Sequence, residues 1–502
     1  MTKFQTYIGV DLGAENGRVI AGHWDGTRLQ LTELHRFNNG SCPEQEARGA
    51  LRWDIHRLWR HTKQGLASGA RQFGDSLVSV GVDSWGVDYT LLDKKENLLG
   101  LPYHYRDSRT EGMMAEAFTL MPRFGIFAAT GVQFLSFNTL FQLLAQLRQE
   151  PALLKEARHF LMIPDYLHWC LSGEITAEFT NATTTQFFDP TVNDWAAHLL
   201  SAFGLPQGIY PEIQAPGTKI GPVLQSVREE TGLPNIDVIA PATHDTGSAV
   251  AAVPTSRTGS SSWAYISSGT WSLVGVERSD PKLTSTVEAA NITNEGGVDY
   301  SIRLLKNVMG LWLLHCCRRD FAKAGLERTY VQLLEAAASA KASDSLVDPD
   351  HPSFLNPPNM VDAIQNFCRD TGQPIPESEG AIIRCVLESL AYKYAHVISL
   401  LEKHGDCRVE VIHIVGGGSQ NHLLNQLTAD ACQRPVLSGP VEATSVGNLL
   451  VQAKGAGELS NLSEIREVVR KSFPIQEFHP VPGTESIVES TRARFERYIH
   501  NG

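Results

Sequence analysis

Apolar residues fall in short runs along this chain, and most runs end in a glycine-rich or polar turn. Tyr7-Ile8-Gly9-Val10 reads as a buried strand that runs into Asp11-Leu12-Gly13-Ala14-Glu15-Asn16-Gly17-Arg18. Val19-Ile20-Ala21 resumes the apolar pattern and residues 29–34 alternate with period two, so the glycine loop is expected to join two strands of a hairpin. Neither the glycine spacing nor the following helix of a dinucleotide fingerprint or a P-loop is present. Helices are expected over residues 53–73, 138–147, 153–171, 304–314, 381–401, 422–431, 447–454 and 485–499. Buried strands are expected over residues 77–83, 238–240, 263–266, 271–276 and 409–415.

The clearest break is Val253-Pro254-Thr255-Ser256-Arg257-Thr258-Gly259-Ser260-Ser261-Ser262, small and polar, close to mid-chain. It separates an expected N-terminal domain, residues 1–253, from a C-terminal one, residues 260–502. Beyond the break the chain repeats its opening pattern. Trp263-Ala264-Tyr265-Ile266, Ser267-Ser268-Gly269-Thr270 and Trp271-Ser272-Leu273-Val274 read as strand, small-residue tip and returning strand. Two such hairpins, one per half, point to a duplicated unit around a nucleotide.

Composition narrows the class. A chain of 502 residues exceeds one ordinary core, which agrees with two domains. Hydrophobic content of 42% and charged content of 20% are those of a soluble globular protein. A net charge of −12 argues against a nucleic-acid or anionic-membrane partner. No stretch approaches the roughly 20 apolar residues that span a bilayer, and Met1-Thr2-Lys3-Phe4 opens no signal-length apolar run, so a cytoplasmic protein is expected. The eight cysteines include no Cys-x-x-Cys pair; free thiols are expected, and a bridge between Cys368 and Cys385 is disfavoured in a reducing compartment.

The candidate chemistry gathers at Pro241-Ala242-Thr243-His244-Asp245-Thr246-Gly247, where a strand ends and a small-residue helix begins. Two readings stand side by side: Asp245 caps the helix, or it is the general base of a kinase. Gly86 beside Trp85 fits either backbone approach to a small ligand or a tight turn. Residues 101–109 fit a polar cleft or a solvated loop, and residues 180–186 a loop near a sugar or plain surface. Gly416-Gly417-Gly418 between a strand and a helix is what close approach to a nucleotide requires, with Asn421 or Ser419 as a helix cap. Asp11 at a strand end is placed to hold Mg²⁺ through water.

Taken in order, the Asp11-Leu12-Gly13 loop, the His244-Asp245-Thr246 turn, the Ser268-Gly269-Thr270-Trp271 hairpin and the Gly416-Gly417-Gly418 loop resemble the FGGY carbohydrate kinases of the actin/hexokinase/Hsp70 superfamily. Further stretches are most similar to the branch that acts on L-rhamnulose: residues 35–40, Trp85-Gly86-Val87-Asp88, residues 105–109, 180–186 and 291–297, Leu305-Lys306-Asn307, and residues 439–443. The resemblance implies an α/β protein of two ribonuclease-H-like, actin-like ATPase domains with a central catalytic cleft. It implies transfer of the γ-phosphoryl group of ATP to the 1-hydroxyl of L-rhamnulose, with Mg²⁺. It implies Asp245 as general base; Gly86, His244, Asp245, Thr246 and Asn307 at the sugar; and Ala14, Glu15, Asn16, Gly17, Arg18, Thr270, His315 and Gly417 at ATP. Small hydroxyl residues are usual in the family where Glu15 and Asn16 stand, and glutamine where His315 stands. Glu15 is therefore expected to point away from the phosphates. The alternatives are an FGGY kinase for another ketose or polyol such as L-fuculose or L-xylulose, and an actin-like or Hsp70-like nucleotide-driven binding protein.

Overall fold

The computed structural model describes residues 5–40 and 49–499; Met1-Thr2-Lys3-Phe4 of the N-terminal reading lie outside them. The chain divides into two units that are interleaved in sequence. The first takes Met1–Thr258, Arg278–Arg303 and Ala443–Phe473, and the second takes Gly259–Glu277, Leu304–Glu442 and Pro474–Gly502.

The sheet of the first unit is built from β1 (Gln5–Leu12), β2 (Asn16–Trp24), β3 (Leu29–Asn38), β4 (Leu77–Ser84), β5 (Lys219–Pro222) and β6 (Asp237–Ile239), in the order β5-β6-β4-β1-β2-β3. β1 and β2 form the expected antiparallel hairpin, with Asp11 opposite Arg18. β1 runs parallel to β4, with Asp11 beside Asp83, and β6 runs parallel to β4 on its other side. Strands buried on both faces read as continuous apolar runs, which is why Ile8, Val10, Val80, Val82 and Val238 are fully enclosed.

The second unit repeats the plan. β7 (Trp263–Ser268), β8 (Trp271–Arg278), β9 (Ile302–Met309), β10 (Val411–Val415), β11 (Val436–Ser438) and β12 (Gln476–Phe478) run in the order β9-β8-β7-β10-β11-β12. β7 pairs antiparallel with β8 and parallel with β10. β10 is parallel to β11, and β11 is antiparallel to β12, as β6 is to β5.

Three expectations change. The apolar run predicted as a helix over residues 304–314 is strand β9 followed by the helix Trp312–Lys323. Short apolar runs fit both periods, and pairing within the sheet, with β8 as one neighbour, decides the case. The helix predicted over residues 153–171 is interrupted by the strand His159–Met162, which pairs with Tyr89–Leu92; Pro164 then opens the helix Ile163–Ser172. Residues 180–186 are interior rather than surface: Thr180, Asn181, Thr185 and Gln186 are fully buried. Residues 101–109 also fold inward. Tyr103 lies between the guanidinium groups of Arg52 and Arg109, and Arg109 is bonded to Gln142.

Every described cysteine is a free thiol, Cys368 and Cys385 included. Among the described residues, no helix is long and apolar enough to cross a membrane.

Candidate active site

β6 delivers the chain to Thr243, and the helix Asp245–Ala251 starts two residues later with His244 as its N-cap. The turn is tied from below. The Ser84 amide at the end of β4 donates to the Thr243 carbonyl over 2.9 Å. Glu178, fully buried, accepts from the Thr243 amide at 2.9 Å and from its hydroxyl at 2.7 Å. Glu178 also caps the short helix Phe179–Ala182, accepting from the Thr180 amide. The Thr180 hydroxyl in turn receives the His244 amide at 3.1 Å. The buried polar run is therefore the floor of the turn, and its composition is polar because it satisfies backbone groups there.

Asp245 is the first residue of its helix, not the N-cap. Its carboxylate accepts from the Thr246 amide at 2.6 Å, close to the helix N-terminus, which suits an anion. The side chain keeps 26% of its exposure. Burial is nevertheless the largest influence on the carboxyl, and with the neighbouring Asp11 it pushes the pKa up to about 6, against the lowering effect of the Thr246 amide and Arg303. Asp245 therefore shares the features of a proton acceptor: partial access, an oriented carboxylate and a raised affinity for a proton.

Beside it, Asp11 and Asp83 lie in register at the ends of β1 and β4. Asp11 is bridged to Arg18 at 2.9 Å and accepts from the Ser445 hydroxyl at 2.7 Å. Asp83 is fully buried and receives an amide from Asn448, while its second oxygen has no hydrogen-bond partner. Burial and the Asp11 charge hold its carboxyl well above the usual carboxylate range. Ser445, Asn448 and Gln452 come from one face of the helix Ala443–Gly455, and Gln452 completes the set by binding the Ile8 carbonyl and the Ser79 hydroxyl. This helix packs directly on the Asp245 helix: a Cβ on Gly447 would fall 1.8 Å from the Ser248 carbonyl oxygen.

The β1–β2 tip carries the residues expected at ATP. The Gly13 amide donates to the Asn16 carbonyl and Asn39 closes over the Gly13 carbonyl at 2.8 Å. Glu15 and Asn16 are exposed and Gly17 is buried, with Phe37 so close that a Cβ there would fall 2.3 Å from the ring. Arg18 faces Asp11. Gly86 is buried against Thr184, whose side chain would lie 3.0 Å from an added Cβ, and the turn after it is anchored by Asp88. Asp88 accepts from the Trp53 and Trp85 indoles and the Tyr105 amide.

In the second unit, the Gly310 and Trp312 amides donate to the Thr270 carbonyl at the β7–β8 tip. Gly418 packs under the same hairpin, where a Cβ would meet the Ser268 hydroxyl at 2.0 Å, whereas Gly417 is exposed with open space around it. Asn421 caps the helix His422–Cys432 and donates to the Tyr330 hydroxyl at 3.2 Å. His315 meets the Tyr330 ring edge-on at 6.4 Å. Thr270, His315 and Gly417 all belong to this unit. Asn307 belongs to the same unit, half-buried on β9.

Sequence reasoning missed Glu178, Ser445, Asn448, Glu295 and Arg303. Glu178 meets Thr243, Ser445 meets Asp11, Asn448 meets Asp83, and Glu295 and Arg303 meet His244 from far along the chain, where no local spacing announces them.

Residues 6–252 match the model of the N-terminal domain of the FGGY family of carbohydrate kinases, and residues 264–456 match that of its C-terminal domain. The chain is 43% identical over 476 residues to a rhamnulokinase of Bacteroides thetaiotaomicron, covering 95% of this chain and 96% of the relative. It is 40% identical over 479 residues to a rhamnulokinase of Oceanobacillus iheyensis, covering 95% and 99%. The fold matches the crystal structure of a gluconate kinase from Lactobacillus acidophilus with a TM-score of 0.80, at 16% identity, over 99% of this chain and 97% of that one.

Proposed function

The chain belongs to the FGGY family of carbohydrate kinases, and on that premise we propose that it transfers the γ-phosphoryl group of ATP to the 1-hydroxyl of L-rhamnulose, giving L-rhamnulose 1-phosphate and ADP. The observation that carries this reading is the likeness to rhamnulokinases along nearly the whole length of both chains.

Asp245 takes the proton of the 1-hydroxyl as its oxygen bonds to the γ-phosphorus and the bond to the β-phosphate oxygen breaks. A sugar hydroxyl is a weak nucleophile at neutral pH, and a carboxylate in hydrogen-bond reach removes the proton as transfer proceeds. His244, Thr246, Gly86 and Asn307 are assigned to the sugar. The backbone of Ala14, Glu15, Asn16, Gly17 and Arg18 is assigned to ATP in the first unit, and Thr270, His315 and Gly417 in the second. The exposed Glu15 side chain makes no phosphate contact in this scheme, because like charges would repel.

The described residues contain no group of three or more side chains fit to hold a bare metal ion. They do fit a hydrated one: Asp11 and Asp83 lie in register at the ends of β1 and β4, and, after burial, the charge of Asp11 raises the pKa of Asp83 and of Asp245. Asp11 would hold Mg²⁺ through water, and the ion would offset charge on the phosphates. The reaction suits the cytoplasm, where ATP is supplied.

The test is ADP release with L-rhamnulose, L-fuculose, D-xylulose and glycerol, with and without Mg²⁺. Release specific to L-rhamnulose and dependent on Mg²⁺ is expected. Preference for another ketose would overturn the sugar, and ATP hydrolysis indifferent to every sugar would overturn the kinase reading.

A further inference from the structure

Arg303, at the start of β9, is completely buried. Its Nε donates to the Gly296 carbonyl at 2.8 Å and its Nη1 to the Thr246 hydroxyl oxygen at 2.9 Å. Its Nη2 lies 3.1 Å from His244 Nδ1 and 3.3 Å from Glu295 Oε2. A guanidinium carries five N–H donors, no acceptor, and does not lose its charge in a protein. The contacts with Gly296, Thr246 and His244 are therefore donations from arginine, and the one with Glu295 is an ion pair.

The consequence falls on His244. Nδ1 must present its lone pair to Nη2, so the imidazole is neutral and carries its proton on Nε2. The Nδ1 to Glu295 Oε2 separation of 3.3 Å is then the distance between a nitrogen that accepts from Nη2 and a carboxylate oxygen that pairs with Arg303 by charge alone. Nε2 lies 3.6 Å from an Asp245 carboxylate oxygen. The Thr246 oxygen accepts from Arg303 and lies 3.2 Å from His244 Nε2, within reach of that N–H, so its own hydroxyl hydrogen is left to donate outward. Glu295 offsets the buried cation, so that the charge of Arg303 does not fall undiminished on Asp245.

Resting on the assignment of His244 and Thr246 to the sugar, we propose that Arg303, balanced by Glu295, is a positioning residue that fixes the hydrogen-bond polarity of the sugar-binding turn. The turn offers two donors, the Thr246 hydroxyl and a His244 Nε2–H shared with the Thr246 oxygen, beside one acceptor, Asp245. A substrate fits when it presents acceptor oxygens to the first two and its reactive hydroxyl as donor to the third. Arg303 touches neither substrate in this scheme; it acts through His244 and Thr246.

The first test is direct. Long-range proton–nitrogen correlation of ¹⁵N-histidine-labelled protein, with the His244 signals assigned by their loss in His244→Asn, should show Nε2 protonated and Nδ1 bare at pH 7. The opposite tautomer, or an imidazolium, overturns the proposal whatever the sugar proves to be. The second uses Arg303→Lys, which keeps the charge but loses the fork, and the isosteric Glu295→Gln, each checked for folding by circular dichroism. The KM for the sugar should rise roughly tenfold to hundredfold while that for ATP stays within about twofold, the scale of one lost charge-assisted hydrogen bond. Folded variants whose two KM values rise together, or not at all, overturn it. A wild-type protein that phosphorylates no sugar defeats the functional reading instead, and the tautomer measurement still decides the polarity.

Discussion

The six strands of one sheet and six of the seven in the other follow one order, and they end in different chemistry. At the first hairpin, β1 ends in Asp11 paired with Arg18, the neighbouring β4 ends in Asp83, and the turn after β6 carries Asp245. At the second, the matching positions hold Ser268 opposite Ser272, whose hydroxyl meets that of Tyr394 at 2.8 Å, and a run of glycines after β10. A duplicated backbone has thus been given charge in one copy and small neutral groups in the other. Concentrated carboxylates are costly to bury, and two of them have raised pKa values as a result. They are worth keeping where a proton must be taken. Glycine and serine keep the backbone bare where a ligand needs close approach.

The sharpest way to break this contrast is Asp245→Asn. Turnover should fall by about 10²–10⁴-fold, the range for a lost general base, while the protein still folds and binds sugar. Since burial raises the folded-state pKa of Asp245 to about 6, its ionised form costs stability above that pH, and the cost disappears below the unfolded value. The variant should therefore melt higher than wild type at pH 8, with the gap closing as pH falls towards 4. A turnover close to wild type would remove Asp245 from the chemistry.

The pH profile of the wild type comes next. A base with a pKa of about 6 predicts kcat/KM falling about tenfold for each unit below that value. A profile flat down to pH 5 would mean that proton removal does not limit the reaction. Smaller again is Gly86→Val. A Cβ there meets Thr184 at 3.0 Å, so the KM for sugar should rise well above any change for ATP. Equal changes in both would make Gly86 a structural turn.

The smallest effects separate neighbours in the second unit. Gly418→Ala drives a methyl into Ser268 and should cost about 1–3 kcal/mol in denaturant unfolding, as overpacking does. Gly417→Ala meets nothing within 4 Å, should change stability by less than about 0.5 kcal/mol, and should raise the KM for ATP alone. If Gly417→Ala left nucleotide affinity untouched, the bare loop would serve packing and not a ligand.

Much of this architecture is legible in the chain because its punctuation is local. The β1–β2 tip is bracketed by apolar runs, and the Gly416-Gly417-Gly418 loop sits between an apolar strand and a helix. Elsewhere the deciding partner lies far along the chain. Residues 304–309 are apolar enough for either period, and only pairing within the sheet makes them a strand. Residues 180–186 look solvated by composition, yet their polar groups are spent on the Thr243 and His244 turn. Arg303 could not be found from spacing, since it reaches His244 across 59 residues of sequence. Polar groups that satisfy each other in the interior resemble surface until the fold pairs them.

The interleaving of the units also sets a timetable. A ribosome that has released the chain through Thr258 has delivered Asp245 and its helix, but not Ser445, Asn448 or Gln452, which bind Asp11, Asp83 and β1. The first unit to be started is therefore not finished until most of the second has been made. Its carboxylates wait, without those partners, until the segment Ala443–Phe473 has been made. A gene cut at the polar break after Val253 would yield an N-terminal fragment lacking the helix that presses on Ser248. For this protein the boundary between domains in space is not a place where the chain can be divided.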